Sequence, residues 1–587
     1  MNPGEFSAAA MIAVALLPLV AVAVSWLGSL GRRALQLGPL TLVPALLVAT
    51  SVGLTPTREV EWFLLGGRVG LDTTGRLFLF VTSVVWLIAS VFAHTTRLEG
   101  RRPKRFFRFF YAAAAGNLLL IFAADMLTFF SGFALMSYAG YGLVVHKQTA
   151  AAIEASRIYL VLVVIGEVLI VAGALLAWGL SGSWQLEAIR SGLAEESRQA
   201  TWAIGLLFLG FGAKASLIPL HIWLPKAHPA APVAASAVLS ATMIKAGLLG
   251  WLRFIPLESP GLSWLGNWAF GAGLVAAFAG VAIGVLQSKP KTILAYSSIS
   301  QMGYMTMLVG MGAMVPGVYP AVLMAILVYV LHHATSKGAL FLSVTVARGA
   351  PATPWWKFFE AIGLVIPALA LAGAPLTTGA VAKAQLTALP DISAGDLPAL
   401  FDPAIIVGAV ATTVLMARFL WVVWPRETRN HSISRMALGA WWMLATSVVW
   451  GPWIVPWDYF RRAASGMAEP YALWSSLWPM LVGLGVAVVV ARHRRLLPLR
   501  VDGAVPEGDL LIPVEAGLRW LWRGLRQWAE FGRQQVRRAV LGLKLWYARR
   551  LANIELVEQA EEQLQKQAWD WVWILVVATS LFAALIW

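Results

Sequence analysis

Residues 214–247 read KASLIPLHIWLPKAHPAAPVAASAVLSATMIKAG. Lys214 and Lys245 stand at its two ends, in surroundings that are otherwise mostly apolar or small. Pro219 cannot continue a helix that arrives through Lys214, because it lacks an N–H and its ring clashes with the preceding turn. A helix broken at depth leaves backbone groups that only surrounding protein or a wet cavity can satisfy. The stretch therefore predicts a membrane helix interrupted beside a lysine, followed by a second helix that carries another.

The rest of the chain gives that reading its solvent. Of 587 residues, 59% are hydrophobic and 13% charged. A soluble chain is nearer about 45–50% apolar and 25% charged, and no single core could hide such an excess. The apolar runs are continuous over about 20 residues rather than alternating, which excludes a barrel and predicts helices. With no cysteine, the chain has no disulfide and cannot ligate an iron–sulfur cluster through thiolates. The net charge of +16 is read as Lys and Arg held in cytoplasmic loops against anionic lipid, not as a nucleic-acid surface. No cofactor or metal is expected.

The predicted fold is an all-α polytopic membrane protein with roughly sixteen spans. The apolar windows fall at 6–28, 34–54, 77–94, 106–124, 126–146, 158–180, 201–221 and 232–254. They continue at 264–287, 292–314, 319–347, 361–386, 404–424, 436–453, 473–491 and 569–587. Segment 6–28 is long and has no basic flank, so it is read as a span rather than a signal peptide. Arg32 and Arg33, the run from Arg97 to Arg108, Lys289 and Lys291, the run Arg426 to Arg435 and the run Arg492 to Arg500 then share one side. That side is expected to be cytoplasmic, with the N-terminus outside. The acidic loop of Asp391, Asp396 and Asp402 falls opposite.

Residues 510–566 read differently. Val514, Leu518, Trp522, Leu525, Trp528, Val536, Val540, Leu543, Tyr547, Leu551 and Ile554 recur at helical spacing, with arginines between them. Two readings stand: a membrane-surface amphipathic helix, or a strut lying across neighbouring subunits and anchored by 569–587.

Four lysines lie inside apolar segments: Lys214, Lys245, Lys337 in VLHHATSKGALFLSV and Lys383 in LAGAPLTTGAVAKAQL. A lysine at mid-bilayer costs about 2.5–3.5 kcal/mol on insertion scales. One such residue is usually snorkelling; four, each near Gly, Pro, Ser, Thr or His, fit a polar axis better. His333 precedes Lys337 by one turn, so the two share a helix face. Gly373–Pro375 interrupts the segment before Lys383 as Pro219 does after Lys214, the pattern of inverted-repeat transporters. Glu167 is either a channel acid or the partner of a neighbouring base. His221, His228 and His332 are accessory candidates; the first two frame WLPKAHP, read as a tight interfacial loop. Asp125, at a helix junction, is expected to be a cap. No third ligand suits a zinc site, and no nucleotide loop or nucleophile–base pair points to an enzyme acting alone.

At these residues the chain resembles the antiporter-like membrane subunits of complex I, Mrp cation/proton antiporters and membrane-bound hydrogenases. The resemblance runs from about Phe106 to Trp424. It is carried by the opening stretch, by KPKTILAYSSISQMGYM, HHATSKGALFL and AGAPLTTGAVAKAQL, in the family's order and spacing. It implies two inverted five-helix repeats, in domains 106–254 and 255–430, each with a half-channel. Around them lie N-terminal spans 1–105, further spans 431–505, a lateral helix 506–567 and an anchor 568–587. It implies a broken-helix lysine at Lys214, the next-helix lysine at Lys245, a connecting relay of His333 and Lys337, and a terminal lysine at Lys383. The sequence departs from the pattern at Ala134 in FFSGFALMSYAGYGLVVH, where a glutamate is usual, and at Ala384, where an acid commonly follows the last lysine.

The expected function is proton or cation translocation within a multisubunit complex of the bacterial inner membrane. The lateral helix is expected on the cytoplasmic side, touching other membrane subunits. Anionic lipids and a cytoplasmic redox or zinc-enzyme subunit are the other partners considered. Two alternatives stand beside it: energy coupling for inorganic-carbon uptake, and a pump-deficient scaffold.

Overall fold

A computed structural model describes residues 7–51, 53–96, 98, 102–349, 354–389, 398–424, 433–455, 457–492, 505–508, 511–550 and 564–565. The helices in chain order are α1 Ala8–Val24, α2 Gly28–Gln36, α3 Val43–Ser51, α4 Thr73–Thr95, α5 Pro103–Phe122, α6 Met126–Val144, α7 Ala150–Ser181 and α8 Leu186–Leu193. Then follow α9 Arg198–Ala215, α10 Trp223–Ala230, α11 Val233–Val238, α12 Lys245–Phe254, α13 Ser263–Val285, α14 Pro290–Met314, α15 Tyr319–Val346 and α16 Pro354–Ala372. The last are α17 Thr378–Thr387, α18 Phe401–Val423, α19 Arg435–Ile454, α20 Asp458–Ser465, α21 Pro470–Arg492 and α22 Leu511–Arg550. The chain divides into Met1–Glu507 and Gly508–Trp587; α22 is the described helix of the second unit.

Among the described residues, ten helices are long and apolar enough to cross a membrane, or twelve if two bent pairs each count as one span. The expected sixteen included four more. The helix in window 6–28 has only 17 residues. Window 361–386 is split into α16 and α17 by Gly373 and Leu376, both with positive φ. Window 292–314 is α14, whose Ser297, Ser298, Ser300, Gln301 and Thr306 make it polar although it is almost wholly buried. Window 569–587, with its anchor, lies outside the described residues, as do Asp391, Asp396 and most of the 426–435 and 492–500 basic runs.

Two elements correct the sequence reading. The chain is not all helical: Thr55–Val60 and Gly67–Leu71 form an antiparallel hairpin, β1 and β2, with Glu59 opposite Arg68. The strands are too short and polar to stand out in hydropathy. The WLPKAHP segment is not an interfacial loop but α10, with Trp223, Leu224, Pro225, Ala227 and His228 buried. Its proline at the third helical position removes an N–H that has no intrahelical partner there.

Small residues let the long helices touch. On α13, Gly266, Gly273 and Gly280 recur every seven residues against Gly310, Gly303 and Tyr296 of α14. A Cβ at Gly273 would stand 2.6 Å from the Gly303 carbonyl. The same device joins α5 to α6 at Gly116 and Gly132, and α7 to α9 at Gly166 and Gly210. In lipid, where apolar contact alone does not drive helices together, this close approach supplies the packing.

At one edge Asp72 caps α4 through Gly75 N–H (2.7 Å) and accepts both arms of Arg253, at 2.6 and 2.7 Å. Partial burial pushes the Asp72 carboxyl up, but the Arg253 charge and the hydrogen bonds outweigh it and hold the carboxyl below its ordinary value.

Two outcomes follow. Gly273→Val should cost about 1–3 kcal/mol by overpacking, read as a lower melting temperature of the detergent-purified protein. Gly271→Val, with no neighbour within 4 Å, should not; equal effects would refute the close-contact account. A carboxyl depressed on folding stabilises the fold above its unfolded value of about 3.9 and loses that contribution as pH falls through the depressed value. Asp72→Asn, which keeps a capping oxygen, should therefore flatten the acid-side fall in melting temperature.

Candidate functional site

Lys214 occupies the last turn of α9, which ends at Ser216 in the left-handed region (φ 61). The Trp223 indole N–H closes the break by donating to the Ala213 carbonyl at 2.9 Å. The Lys214 ammonium donates to Ser137 Oγ at 3.2 Å and to Tyr159 Oη at 3.0 Å. Tyr159 in turn donates to the Ser137 carbonyl at 2.9 Å. The rings of Tyr159, Trp223 and Phe133 lie 5.1, 5.7 and 6.0 Å from Lys214 Nζ. Glu167 is buried two turns beyond Tyr159 on α7. It lies near Tyr138 and within electrostatic reach of Lys214. Its Oε1 has no hydrogen-bond partner among the described residues. The Lys214 cage is thus made of hydroxyls and rings, with the acid one layer behind.

At the centre, residues Leu239–Met243 form a π-helical turn between α11 and α12. Such a turn releases carbonyls from the i−4 ladder. The Ala241 carbonyl accepts from Lys245 Nζ at 2.6 Å. The same Nζ lies 2.8 Å from His333 Nδ1, 88 positions away in sequence. One turn further along α15, Lys337 Nζ donates to the Leu294 carbonyl of α14 at 2.9 Å. That carbonyl also accepts from Ser298 Oγ (3.0 Å), which touches Ser240 Oγ of the π-helical turn at 2.7 Å. A chain of hydrogen bonds therefore runs from Lys337 through α14 to Ser240 in the π-helical turn, one residue before the Ala241 that receives Lys245. The relative exposures are 3% for Lys214, 1% for Lys245 and 0% for His333 and Lys337. Neither Lys245 nor Lys337 forms an ion pair with a carboxylate among the described residues.

Towards the far side, His332 Nδ1 lies 3.0 Å from Thr378 Oγ1 at the start of α17. Lys383 of α17 donates to the Ser475 carbonyl of α21 at 3.0 Å. His332 and Lys383 line one small cavity.

The structure thus joins Lys245 directly to His333, sets Lys337 one turn along the same helix with its own carbonyl partner, and places Lys214 and Lys383 in separate groups. His332 and His333 diverge: one turns to the break before Lys383, the other to Lys245. His228 is wholly buried and stacks on Phe341 at 4.4 Å. His221 sits in the buried turn Leu220–Ile222. Asp125 is the N-cap of α6, accepting from Thr128 N–H at 2.8 Å, and also binds Arg68 N–H at 2.6 Å.

Sequence reasoning missed several members. Ser137, Tyr159 and Trp223 gave no signal, because hydroxyl and aromatic residues are common in any span. The π-helical turn is hidden in the plain wording LSATM. Lys291, read as a loop residue, is buried and donates to the Ala231 carbonyl at 2.5 Å. No three His, Asp or Glu side chains among the described residues are placed to hold a metal.

An amine hydrogen-bonded to an imidazole is a pair that can share a proton, and both groups are shut off from bulk water. A serine-lined carbonyl chain runs from the next amine towards that pair and ends at Ser240.

Residues 123–389, which contain all four lysines and both helix breaks, match the family described as NADH:quinone oxidoreductase/Mrp antiporter, TM. Over 291 residues the chain is 32% identical to hydrogenase-4 component B of Escherichia coli, covering 46% of this chain and 42% of that protein. It is 26% identical over 433 residues to a Na(+)/H(+) antiporter subunit of Alkalihalophilus pseudofirmus, covering 68% of this chain and 83% of that protein. The chain thus spans less than half the length of the hydrogenase component. Its fold is similar to the solved Mrp complex from a Dietzia species, with a TM-score of 0.72 at 21% identity, over 93% of this chain and 62% of that one.

Breaking one side of the Lys245–His333 pair strands a buried polar group, at about 1–3 kcal/mol, whereas replacing both sides by apolar groups is often neutral. Lys245→Met should lower the melting temperature, and Lys245→Met with His333→Leu should restore it to within about 1 kcal/mol. Additive losses would show that the two side chains do not form a pair.

Proposed function

We propose that this chain, whose residues 123–389 match the family described as NADH:quinone oxidoreductase/Mrp antiporter, TM, is a proton- or cation-translocating, antiporter-like subunit of a multisubunit membrane complex. One observation carries the proposal: Lys245 Nζ stands 2.8 Å from His333 Nδ1, with Lys337 one turn away, in an interior without water access. An ammonium withdrawn from water costs several kcal/mol unless it is well paired. Three adjacent basic groups, none touching a carboxylate among the described residues, are a poor device for stability and a good one for moving charge.

The mechanism is stepwise. A proton enters at Lys214, passes through Lys245, His333 and Lys337, and reaches Lys383; Glu167 modulates the entry group. His332 joins the last step, and Asp125, His221 and His228 shape the path without carrying charge. The two interrupted helices, α9/α10 and α16/α17, support two inverted repeats in 106–254 and 255–430. In each, a lysine lies close to the break. Net movement is driven by changes at a partner, which biases the charge on the first or last group.

The partners are other membrane subunits, and α22 is a surface for them. Its 40 residues span about 60 Å at 1.5 Å per residue, with Trp528, Val536, Val540, Leu543 and Tyr547 exposed. We place the chain in a bacterial inner membrane, N-terminus outside and α22 on the cytoplasmic side, its basic loops against anionic lipid. A cytoplasmic redox or zinc-enzyme subunit would supply the driving reaction.

A second reading, a pump-deficient scaffold, is favoured by Ala134 and by the acid-free cage of Lys214. The two readings separate on one experiment. Lys337→Ala in the purified, reconstituted complex should reduce ion-dependent activity by at least about tenfold while assembly stays normal. Unchanged activity after replacing all four lysines would leave the scaffold and remove the relay.

A further inference from the structure

The cavity between His332 and Lys383 contains a buried phenol that the proposed relay does not use. Its volume is about 40 Å³, and Gln301, Tyr304, Tyr329 and Gly408 are part of its wall. Tyr329 donates to Gln301 Oε1 at 2.8 Å and stands edge-on to His332, ring centres 5.7 Å apart. Tyr304 lies beside Tyr329 at 6.2 Å. The Tyr304 hydroxyl is fully enclosed and has no hydrogen-bond partner among the described residues. An orphan hydroxyl costs about 1–3 kcal/mol, and buried polar groups without a protein partner are normally satisfied by ordered water.

Gly408 explains why the phenol can sit there. It lies in the middle of α18, where glycine is less favourable than alanine by about 1 kcal/mol. A Cβ at that position would stand 2.7 Å from Tyr304 Cζ and closer still to Oη. The missing side chain is the notch that receives the hydroxyl, so any larger residue would push the phenol out of it.

We propose that Tyr304, seated in the Gly408 notch, holds the ordered water that connects His332 with Lys383, and that it is a positioning residue for the last proton step. This rests on the relay reading. In that step Lys383 gives a proton to the water as the water gives one to His332, or the reverse. Tyr304 donates to and accepts from the water and is unchanged at the end.

The test uses the purified complex that contains the full chain. Tyr304→Phe keeps the ring and removes the hydroxyl; Gly408→Ala keeps the hydroxyl and closes the notch. Each should lower ion-dependent activity at least about tenfold, with normal assembly and a larger solvent deuterium isotope effect on the residual rate. Gly439→Ala, with nothing within 4 Å, is the control and should be silent. An experimental map at water-resolving quality should show density within hydrogen-bond distance of Tyr304 Oη. A dry cavity overturns the proposal, whether or not Gly408→Ala assembles. Loss of activity in Lys337→Ala and Lys383→Ala with Tyr304→Phe normal overturns the water link and leaves the relay. Normal activity in all of them removes both.

Discussion

An ammonium group brought into an apolar interior must find acceptors there, and most of the local structure around the axis follows from that need. In a regular helix each carbonyl already accepts the N–H four residues on, so a lysine must find a loosened carbonyl or share one. For Lys245 the acceptor is the Ala241 carbonyl, within the π-helical turn Leu239–Met243. For Lys337 it is the Leu294 carbonyl, shared between the lysine and Ser298. Lys383 uses the Ser475 carbonyl of a different helix. In each case backbone, not carboxylate, receives the charge.

The same need shapes packing. Polar groups at this depth must be enclosed by protein, so the helices around them approach closely. The seven-residue glycine stripe of α13 presses backbone against the backbone of α14. This makes α14 at once one of the most buried helices and one of the more polar. It lends Leu294 and Ser298 to Lys337 and Gln301 and Tyr304 to the cavity beyond His332.

That contrast shows what the sequence could and could not reveal. A lysine in an apolar run is conspicuous, since nothing cheap puts it there; Lys214, Lys245, Lys337 and Lys383 were all legible. So were the breaks at Pro219 and Gly373, because proline and glycine act on local geometry. The pairing of Lys245 with His333 joins positions 88 apart, and local pattern carries no information about it. His332 and His333 look alike in sequence yet turn to different neighbours, since adjacent residues on a helix point about 100° apart. The hairpin Thr55–Leu71 and helix α10 were misread for the opposite reason: short elements held by tertiary contacts have little periodicity to display.

The cage around Lys214 shows why losing an acid at Ala134 need not remove the function proposed for that site. A carboxylate in contact favours one state only, the ammonium, by roughly 4 kcal/mol at an effective dielectric of 20. Aromatic faces contribute less, about 0.5–2 kcal/mol each, and spread over three rings they hold the charge without fixing it. Hydroxyls are more permissive still, because each can donate or accept. Ser137 Oγ and Tyr159 Oη accept from an ammonium, and by rotating their protons they can also donate to a neutral amine. Such a cage serves the group before and after it gives up its proton. Glu167, one layer behind and near Tyr138, would under that proposal act through the field rather than through contact. Under the proposed mechanism, an entry station built this way would respond to charge at a distance, as driving by a partner requires.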